Sequence, residues 1–564
     1  MKRFSNHNQE TTISKHSLVG TFILICSVNF LSPGYSFGYG EQMLLSVKGI
    51  SWADKNAFVG DWFNNNALQP HVLFDVVTYF GEKIHFLAGV YFLYYLASCY
   101  TFALGTALLA KLWLPRQFQY LQHLVNVLVV VGPVFLLGTF LTIHFQAVPN
   151  MAGGCIAYLG IACLLTRNDR MAAFAIVAAS AFHLQHGIAI ASVGLLFVVF
   201  GLVKNKRLII GASLISLSVS FAIAVNRQLL SGSSEIAHAV AEVGSTEHFN
   251  VETWPTFGII SGLTVLGLAV LNFTIADSVS HRIRKTFLFA IIMCGPVIGI
   301  VSDLNNIEPF QSLARSFFVY RYSMLLAPFA CWFIVRQLVI AFTARPLISV
   351  ASSGIFAFSY HLYFLTTYTN FPKLGSWWII LTFCSAVMII RLIPDQFSWR
   401  DRISSGLCCG IFILIFTLGF QNFRSHWPQI DYAATDNALI VSRYMSTALH
   451  QTDVLASDPR IPWIRILTRR AIVVDCKGAP YGGAPWNEYI RRLGVLGVSQ
   501  PNICSGYKLL SLSQILEFPK SVGATTVLLL PDDAAYASAM ESLTIRWSSG
   551  GSNPWLIFDL PQQD

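Results

Sequence analysis

Long apolar segments recur from residue 17 to residue 420 of this chain. A helix that crosses the hydrocarbon core of a bilayer needs about 20 apolar residues, and thirteen segments approach or reach that length. They are 17–36, 84–110, 121–143, 151–166, 171–184, 187–203, 208–225, 257–276, 286–301, 317–335, 347–365, 376–390 and 405–420. The pattern predicts an all-α polytopic membrane bundle of about thirteen transmembrane helices, followed by a soluble domain.

Composition agrees with a membrane protein. The chain is 54% hydrophobic and 12% charged, whereas soluble domains carry about 25% charged residues. The first apolar segment is long and lacks a small-residue cleavage site, so we interpret it as an uncleaved span. The net charge of +9 does not indicate a nucleic-acid partner, because Lys and Arg occur in short clusters between apolar segments.

These basic clusters predict the orientation of the chain. Eighteen Lys and Arg residues fall in one alternating set of loops and six in the other. Since basic loops stay in the cytoplasm, the N-terminus is predicted to be cytoplasmic. With an odd number of spans, the C-terminal domain is then predicted to be extracytoplasmic.

Two domains are predicted. Residues 1–424 form the multi-span membrane domain, with long outward loops at 37–83 and 226–256, and the later half of the first loop has the apolar spacing of an amphipathic helix. Residues 425–564 form an α/β domain, with strands in 453–458, 469–475, 525–531 and 555–560 and helices in 484–497 and 534–543. Cys476 and Cys504 lie in this domain, either as a disulfide or as two buried thiols.

Three carboxylates in the first outward loop are candidate catalytic residues: Glu41, Asp54 and Asp61. A carboxylate at the membrane surface could take a proton from an acceptor hydroxyl, or hold a cation that faces a phosphate. The alternative is that all three are solvated loop charges, with Asp61 capping the turn before Trp62.

The candidate substrate-binding residues begin with three histidines at outward span ends: His144, His183 and His186. Two histidines three residues apart bind a metal only if a carboxylate completes the site, so we assign no metal ligand. Arg315 and Arg321 lie at the outer end of the tenth span. They could clamp a lipid phosphate or extend to the interface as ordinary membrane arginines.

The C-terminal domain adds Lys477 and Tyr481 to the candidate substrate-binding residues. Both follow a predicted strand, and loops at strand ends are favoured ligand sites in α/β domains. In the alternative interpretation this loop is structural, and Arg470 pairs with Asp475 at the surface.

The order of these features resembles the GT-C class of polytopic glycosyltransferases. An acidic outward loop follows the first span, many spans follow with GGCIAYLGIACLLTRNDRMAAFAIVAASAFHLQHG among them, and an outward α/β domain ends the chain. The segment RIPWIRILTRRAIVVDCKGAPYGGAPWNEYIRRL, then GATTVLLLP and a final WLIFDL, looks like the C-terminal part of uncharacterised bacterial membrane proteins related to that class.

The resemblance implies a site in the bacterial inner membrane that binds membrane lipid and a sugar donor on a polyprenyl phosphate. In the class, an acidic residue of the first outward loop acts as base or metal partner, a role that would fall here to Glu41 or Asp61. The resemblance therefore leaves open whether a divalent cation serves as a cofactor. The chain departs from the class in having no adjacent acidic pair after the first span, only GYGEQ and then GDW.

Three functions follow as hypotheses. The first is an inverting transferase that moves a sugar from the lipid carrier to an extracytoplasmic acceptor in envelope glycan synthesis. The second is a transporter or flippase for a lipid-linked substrate, which would place ionisable groups at mid-bilayer and show an internal repeat. The third is a non-catalytic scaffold for envelope assembly, whose C-terminal domain recruits a partner.

Overall fold

The computed structural model of the chain describes residues 15–31, 35–38, 41–66, 70–114, 146–226, 429–432, 436–461, 463–480, 484–499 and 504–561, with isolated positions within 122–129 and 328–335. Six predicted spans lie on described helices. The remaining seven predicted spans are 121–143 and those from 257 onward, and they lie outside the described residues apart from those isolated positions. The outward loop predicted at 226–256 also lies outside the described residues, apart from its first residue.

The described N-terminal part is largely helical. Its helices are α1 (Lys15–Leu31), α2 (Gln42–Ala53), α3 (Trp62–Asn66), α4 (Val72–Lys83), α5 (Leu87–Trp113), α6 (Pro149–Leu165), α7 (Asp169–Phe182), α8 (Leu184–Val199) and α9 (Lys206–Asn226). Two of them, α5 and α9, are long and apolar enough to cross a membrane, and α6 and α8 are shorter apolar helices. At 1.5 Å per residue, α5 is about 40 Å long. The bundle of thirteen spans remains a prediction.

Small residues let these helices pack closely. A Cβ atom at Gly160 of α6 would lie 3.1 Å from Ile190 of α8 and 3.2 Å from Ala175 of α7. A Cβ atom at Gly105 of α5 would lie 2.8 Å from the Tyr158 ring. Close backbone approach at small residues is the usual way in which membrane helices associate, because lipid gives them little hydrophobic driving force.

Large apolar side chains cover the outside of the same helices. Phe174, Val199 and Phe221 are 69%, 75% and 64% exposed. Exposed side chains of this size on three helices are the kind that lipid or another protein surface covers.

The first long loop folds into α2, α3 and α4 instead of forming an open connection. The helix predicted in its later half is confirmed as α4. Tyr91 of α5 fixes both longer helices, because its hydroxyl lies 2.7 Å from the Ser46 hydroxyl of α2 and 2.6 Å from the Thr78 hydroxyl of α4. These helices are therefore anchored to the bundle.

The C-terminal part contains strands and helices in alternation. After β1 (Ser36–Phe37), the elements are β2 (Gln429–Tyr432), α10 (Asp436–Ala448), β3 (Val454–Ala456), α11 (Trp463–Thr468), β4 (Ala471–Ile472), α12 (Ala484–Val495), α13 (Leu512–Glu517), β5 (Thr526–Leu529), α14 (Tyr536–Ser542), β6 (Ile545–Ser548) and β7 (Leu556–Asp559). The four predicted strands and two predicted helices are confirmed. The strands β1, β2 and β6 and the helices α10, α11 and α13 were not predicted.

Five of these strands form one sheet in the order β4-β3-β5-β7-β6. The strands β4, β3 and β5 are parallel, and β7 and β6 continue the sheet in antiparallel pairing. One face packs against α12, α13 and α14 through residues such as Tyr489, Ile515 and Ala539. The other face packs against α10 and α11 through Met445 and Ile464. The sheet thus has helices on both faces, as in a small α/β domain.

The two parts of the chain also share a strand pair. Ser36 and Phe37, just after α1, pair in parallel with Gln429 and Tyr432 at the start of the C-terminal part. The segment that follows α1 therefore meets the first residues of the C-terminal part.

Candidate functional site

Asp61, one of the three carboxylates singled out in the first loop, is completely buried between that loop and the C-terminal domain. Its Oδ1 accepts a hydrogen bond of 2.8 Å from the Asn64 backbone N–H, which caps α3. Its Oδ2 accepts a hydrogen bond of 3.2 Å from the backbone N–H of Ile472. Since Ile472 belongs to the edge strand β4, Asp61 covers a donor that the sheet leaves unpaired.

Arg465 of α11 completes this buried ionic cluster. Its Nε lies 3.0 Å from Asp61 Oδ2, and its Nη1 forms a second ion pair with Asp475. The guanidinium also lies over the Phe63 ring, 4.9 Å from the centroid. Asp475 in turn accepts a 2.6 Å hydrogen bond from the Gly478 backbone N–H. The surface pair expected between Arg470 and Asp475 is wrong, because Arg470 instead donates to backbone carbonyls of α10 and the residue after it.

The two carboxylates of this cluster stabilise the charged form of Arg465. Burial alone would lower the pKa of Arg465, but the carboxylates of Asp61 and Asp475 more than compensate, and the pKa is raised. A buried charge that loses its partner typically costs 3–5 kcal/mol. The arrangement therefore favours a structural role for Asp61, since both of its oxygens are engaged and neither reaches solvent.

Further contacts extend the junction between loop and C-terminal domain. Arg469 forms a 3.0 Å ion pair with Glu82 at the end of α4. The Arg469 carbonyl accepts a 3.1 Å hydrogen bond from the Phe58 backbone N–H. The Arg492 guanidinium lies over the Trp62 ring, 5.2 Å from the centroid. Loop and domain thus pack as one folded unit.

A disulfide lies next to this junction. Cys476, the residue after Asp475, is bonded to Cys504, which decides between the two states that the sequence left open. The Tyr489 hydroxyl donates a 3.0 Å hydrogen bond to the Cys476 carbonyl. Burial, with a smaller contribution from Asp475, raises the pKa of Tyr489. The phenol therefore stays protonated and holds the disulfide segment against α12.

Three histidines form a second buried cluster, between helices of the N-terminal part. The rings of His71 and His183 are stacked with centroids 5.0 Å apart, and the rings of His183 and His186 lie 4.7 Å apart. All three side chains are at least nine-tenths buried. His183 and His186 were predicted as substrate-binding residues, whereas His71 was not. The structure thus brings the two predicted histidines together with a third from the first loop.

The three imidazoles are positioned by the N-terminal ends of helices. His71 directly precedes α4, and His183 directly precedes α8. The Nε2 of His186 donates a 3.0 Å hydrogen bond to Oδ1 of Asn150 in the first turn of α6, which leaves Nδ1 as the acceptor in a neutral ring. The N-termini of α4, α6 and α8 therefore meet at this histidine cluster, and α7 also ends there, with His183 as its C-cap. The partial positive charges of the three N-termini and the partial negative charge of the α7 C-terminus both act on the imidazoles.

Gly153 and Asp75 complete the surroundings of the histidine cluster. A Cβ atom at Gly153 would lie 2.6 Å from the Cβ of His183 and 2.9 Å from Cδ2 of His186. Glycine at this position therefore allows α6 to contact both histidines. Asp75, in the first turn of α4 after His71, carries a buried carboxylate. The Asp75 backbone N–H donates a 3.1 Å hydrogen bond to the His71 carbonyl, so this acid lies one helical turn after His71.

The other predicted site residues lie elsewhere. Glu41 is exposed directly before α2, and the next residue, Gln42, donates a 2.9 Å hydrogen bond to the Ala147 carbonyl, two residues before α6. Asp54 is exposed after α2, and Lys477 is exposed beside the disulfide. The remaining predicted substrate-binding residues lie outside the described residues: His144, Arg315, Arg321 and Tyr481.

Two important residues, Arg465 and His71, were not among the predicted site residues. Arg465 lies in the short apolar segment WIRILT, where a single arginine could have signalled a buried charge. His71 follows a proline and precedes an amphipathic helix, which is a position typical of an ordinary helix start. Neither sequence context shows that these residues meet partners from distant segments.

Within the described ranges, no group of three or more His, Cys, Asp or Glu side chains is placed to hold a metal ion. Neither a protein-family model nor a curated protein matches this chain.

Proposed function

We propose that the chain is a bacterial membrane glycosyltransferase that moves a sugar from a polyprenyl-phosphate carrier to an extracytoplasmic acceptor. The proposal is carried by the histidine cluster of His71, His183 and His186, where three helix N-termini meet beside membrane-type helices. A lipid-linked donor reaches a protein only from the bilayer, so its phosphate needs a binding site at the ends of membrane helices.

The chemistry assigns separate roles to these groups. Imidazole N–H groups and helix N-termini would bind the donor phosphate and stabilise the negative charge that it gains as it leaves. A carboxylate would remove the proton of the acceptor hydroxyl, whose oxygen then attacks the anomeric carbon while the bond to the phosphate oxygen breaks. Asp75 would orient His71 from its position in the first turn of α4.

Of the two candidate carboxylates, Glu41 is better suited than Asp61 to act as the general base. It is exposed, so an acceptor from the aqueous side can reach it, and Gln42 beside it is tied to the segment that leads into α6. Asp61 suits the role less well because it is fully buried in ion pairing. Arg315 and Arg321 remain proposed phosphate ligands outside the described residues.

The same proposal includes the polytopic topology, with about thirteen spans and the C-terminal domain outside the cytoplasm. The alternation of basic and non-basic loops supports this orientation. The disulfide between Cys476 and Cys504 supports it as well, since disulfides persist in oxidising compartments.

Complementation of a deletion strain tests the function. Envelope glycans and lipid-linked sugars would be measured by mass spectrometry in cells that carry the wild type, Glu41→Gln, or a double variant His183→Ala and His186→Ala. His85→Asn is the matched control, because His85 is an exposed histidine just after α4. Protein levels would be compared by immunoblotting.

We expect Glu41→Gln to reduce glycan transfer by about 10²–10⁴-fold, the usual contribution of a general base. The histidine variant should reduce transfer and cause the donor lipid to accumulate, while His85→Asn restores the wild-type glycan. Full complementation by both active-site variants would refute the transferase. Accumulation of the donor only on the cytoplasmic leaflet would instead favour a flippase, and loss of glycan only after removal of the C-terminal domain would favour a scaffold.

A further inference from the structure

The turn between α4 and α5, at residues 80–86, carries three large apolar side chains on its surface. Phe80, Ile84 and Phe86 are 58%, 61% and 58% exposed. Single exposed apolar residues are ordinary on protein surfaces, whereas several of this size in one short turn indicate an interaction surface.

Local contacts hold these three side chains in place. The Ile84 N–H donates a 3.1 Å hydrogen bond to the Phe80 carbonyl, so Ile84 follows Phe80 by one helical turn on the same face of α4. The chain then reverses at His85, whose φ is +53°. Phe86 packs over the first turn of α5, because a Cβ atom at Gly89 would lie 2.0 Å from the Phe86 ring. The exposed groups therefore belong to a defined turn.

The opposite face of α4 is bound to the C-terminal domain. Glu82 is two residues from both Phe80 and Ile84, which places it about 160° around the helix from them. Its carboxylate forms the 3.0 Å ion pair with Arg469. The end of α4 thus has one side on the C-terminal domain and another side that carries exposed apolar groups.

The apolar surface continues along α5. Leu93 and Tyr100 are 61% and 44% exposed, and they follow Phe86 at intervals of seven residues, which puts all three on one stripe of the helix. This helix is one of the two described helices that are long and apolar enough to cross a membrane. Its length of about 40 Å exceeds the hydrocarbon core of about 30 Å. In a bilayer, the turn at the start of α5 would therefore lie in the headgroup region.

The exposed charge at this turn suits a lipid headgroup. Lys83 is exposed next to Ile84, whereas the carboxylate of Glu82 is engaged by Arg469. Apolar side chains beside a lysine are typical of segments that lie in the membrane interface, where the ammonium group reaches the phosphates and the apolar groups enter the acyl chains. Continuity with the exposed stripe of α5 favours lipid over a protein partner, because one solvent then covers both surfaces.

We propose that the turn at 80–86 is a membrane-interface anchor, with its three exposed apolar side chains among lipid acyl chains and Lys83 against anionic headgroups. The ion pair between Glu82 and Arg469 then joins the C-terminal domain to this anchor and sets its height above the bilayer. The inference rests on the proposed membrane topology, but it does not depend on transfer of a sugar.

Fluorine NMR of the full chain, in nanodiscs of phosphatidylcholine and phosphatidylglycerol, tests the position of the turn. Trifluoromethyl-phenylalanine would replace one phenylalanine at a time, which keeps the aromatic ring. Phe80 and Phe86 are the test positions. Phe221 of α9, 64% exposed, is the position proposed to face lipid, and Phe518 just after α13, 38% exposed, is the control in the C-terminal domain. Oxygen, which concentrates in acyl chains, and a water-soluble gadolinium chelate would be added in turn.

The relaxation caused by oxygen, relative to that caused by gadolinium, should be several-fold higher at Phe80 and Phe86 than at Phe518, and close to the ratio at Phe221. A ratio at the turn equal to that at Phe518 would place the turn in water and overturn the inference. Weak relaxation by both reagents at the turn would show that protein covers it, with the same consequence. A ratio at Phe221 equal to that at Phe518 would refute the membrane topology itself, and the anchor with it.

Photocrosslinking identifies what covers the turn. Benzoyl-phenylalanine would replace Ile84, and Leu509 of the C-terminal domain, which is 80% exposed, would be replaced in the matched control. After irradiation of native membranes, mass spectrometry should find phospholipid adducts at Ile84 and several-fold fewer at Leu509. Adducts to protein alone at Ile84 would mean that a partner or another part of the chain covers the turn, and would overturn the inference.

The headgroup contact of Lys83 has its own test. In the mixed nanodiscs, crosslinks from Ile84 to phosphatidylglycerol should exceed the share of this lipid in the bilayer, and Lys83→Glu should abolish the excess. No excess in the wild type, or an excess that Lys83→Glu leaves unchanged, would overturn the assignment of Lys83 to anionic headgroups.

Discussion

Arg465 Nε lies 3.0 Å from Asp61 Oδ2, although 404 residues separate the two in sequence. This ion pair joins the loop after the first helix to the C-terminal domain. Asp61 also accepts a hydrogen bond from the Ile472 N–H of the edge strand β4, so the loop covers one edge of the sheet. The C-terminal domain therefore depends on the first loop for part of its own structure.

Replacement of Arg465 tests how strongly this junction is held. Arg465→Met would leave the buried carboxylates of Asp61 and Asp475 without a counter-charge, and we expect a loss of about 3–5 kcal/mol in the free energy of unfolding. Arg491→Met is the matched control, since Arg491 is an exposed arginine in a surface pair that is typically worth less than about 1 kcal/mol. Denaturant titration in detergent measures both, and equal stabilities of the two variants would contradict the buried cluster.

The pH dependence of stability tests the environment of Asp533. Burial raises its pKa in the folded state, so the folded protein binds this proton more readily than the unfolded chain does. Asp533 therefore destabilises the fold at neutral pH, and this penalty disappears as pH falls below the unfolded pKa of about 3.9. We expect Asp533→Asn to be more stable than the wild type at pH 7, with the difference shrinking in acid. If the stability difference between Asp533→Asn and the wild type instead grows as the pH falls, the pKa of Asp533 is lowered on folding, which contradicts the prediction.

The disulfide gives a prediction that needs no functional assay. Cys476 and Cys504 are 28 residues apart, and closing a loop of that length stabilises a fold by about 3–4 kcal/mol in the chain-entropy description. We expect Cys504→Ser to lower the free energy of unfolding by that order. In the wild type, alkylation of the unfolded chain should modify both thiols only after reduction. Modification of both without reductant would show that the bond is absent.

Gly153 is predicted to be essential for the packing of the histidine cluster. Gly153→Ala would place a methyl group 2.6 Å from the Cβ of His183, and overpacking of this kind typically costs about 1–3 kcal/mol. Gly211→Ala is the matched control, because a Cβ there meets no atom within 4 Å. Unfolding midpoints and glycan transfer should fall in Gly153→Ala and stay near the wild type in Gly211→Ala. Equal behaviour of the two variants would argue against the close contact of α6 with His183.

Much of the local structure could be predicted from sequence patterns. Short β-branched segments between turn residues identified β3, β4, β5 and β7, because buried strands leave a strong apolar signal. The strand β6 was missed because its residues are partly or wholly exposed and it lies at the sheet edge. The helix α11 was missed because its six residues are too few for a helical period to show.

The candidate sites were harder to predict, for a physical reason. Ion pairs and ring contacts between distant segments leave no periodic signal, so the partner of Asp61 could not be read from the residues around it. The structure shows that the first loop and the C-terminal domain pack against each other. That both lie on one side of a membrane, as charge alternation predicts, stays a prediction. His183 and His186 were identified by position, but their contact with His71 depends on how α4 packs in three dimensions.

A double-mutant cycle between Asp61 and Arg465 tests the junction most directly. The free energies of unfolding of Asp61→Ala, Arg465→Met and the double variant would be measured under identical conditions. Because the two side chains share one buried ion pair, we expect the effects to be non-additive, with a coupling of about 1–3 kcal/mol. Additive effects, within about 0.5 kcal/mol, would contradict the direct link between the first loop and the C-terminal domain.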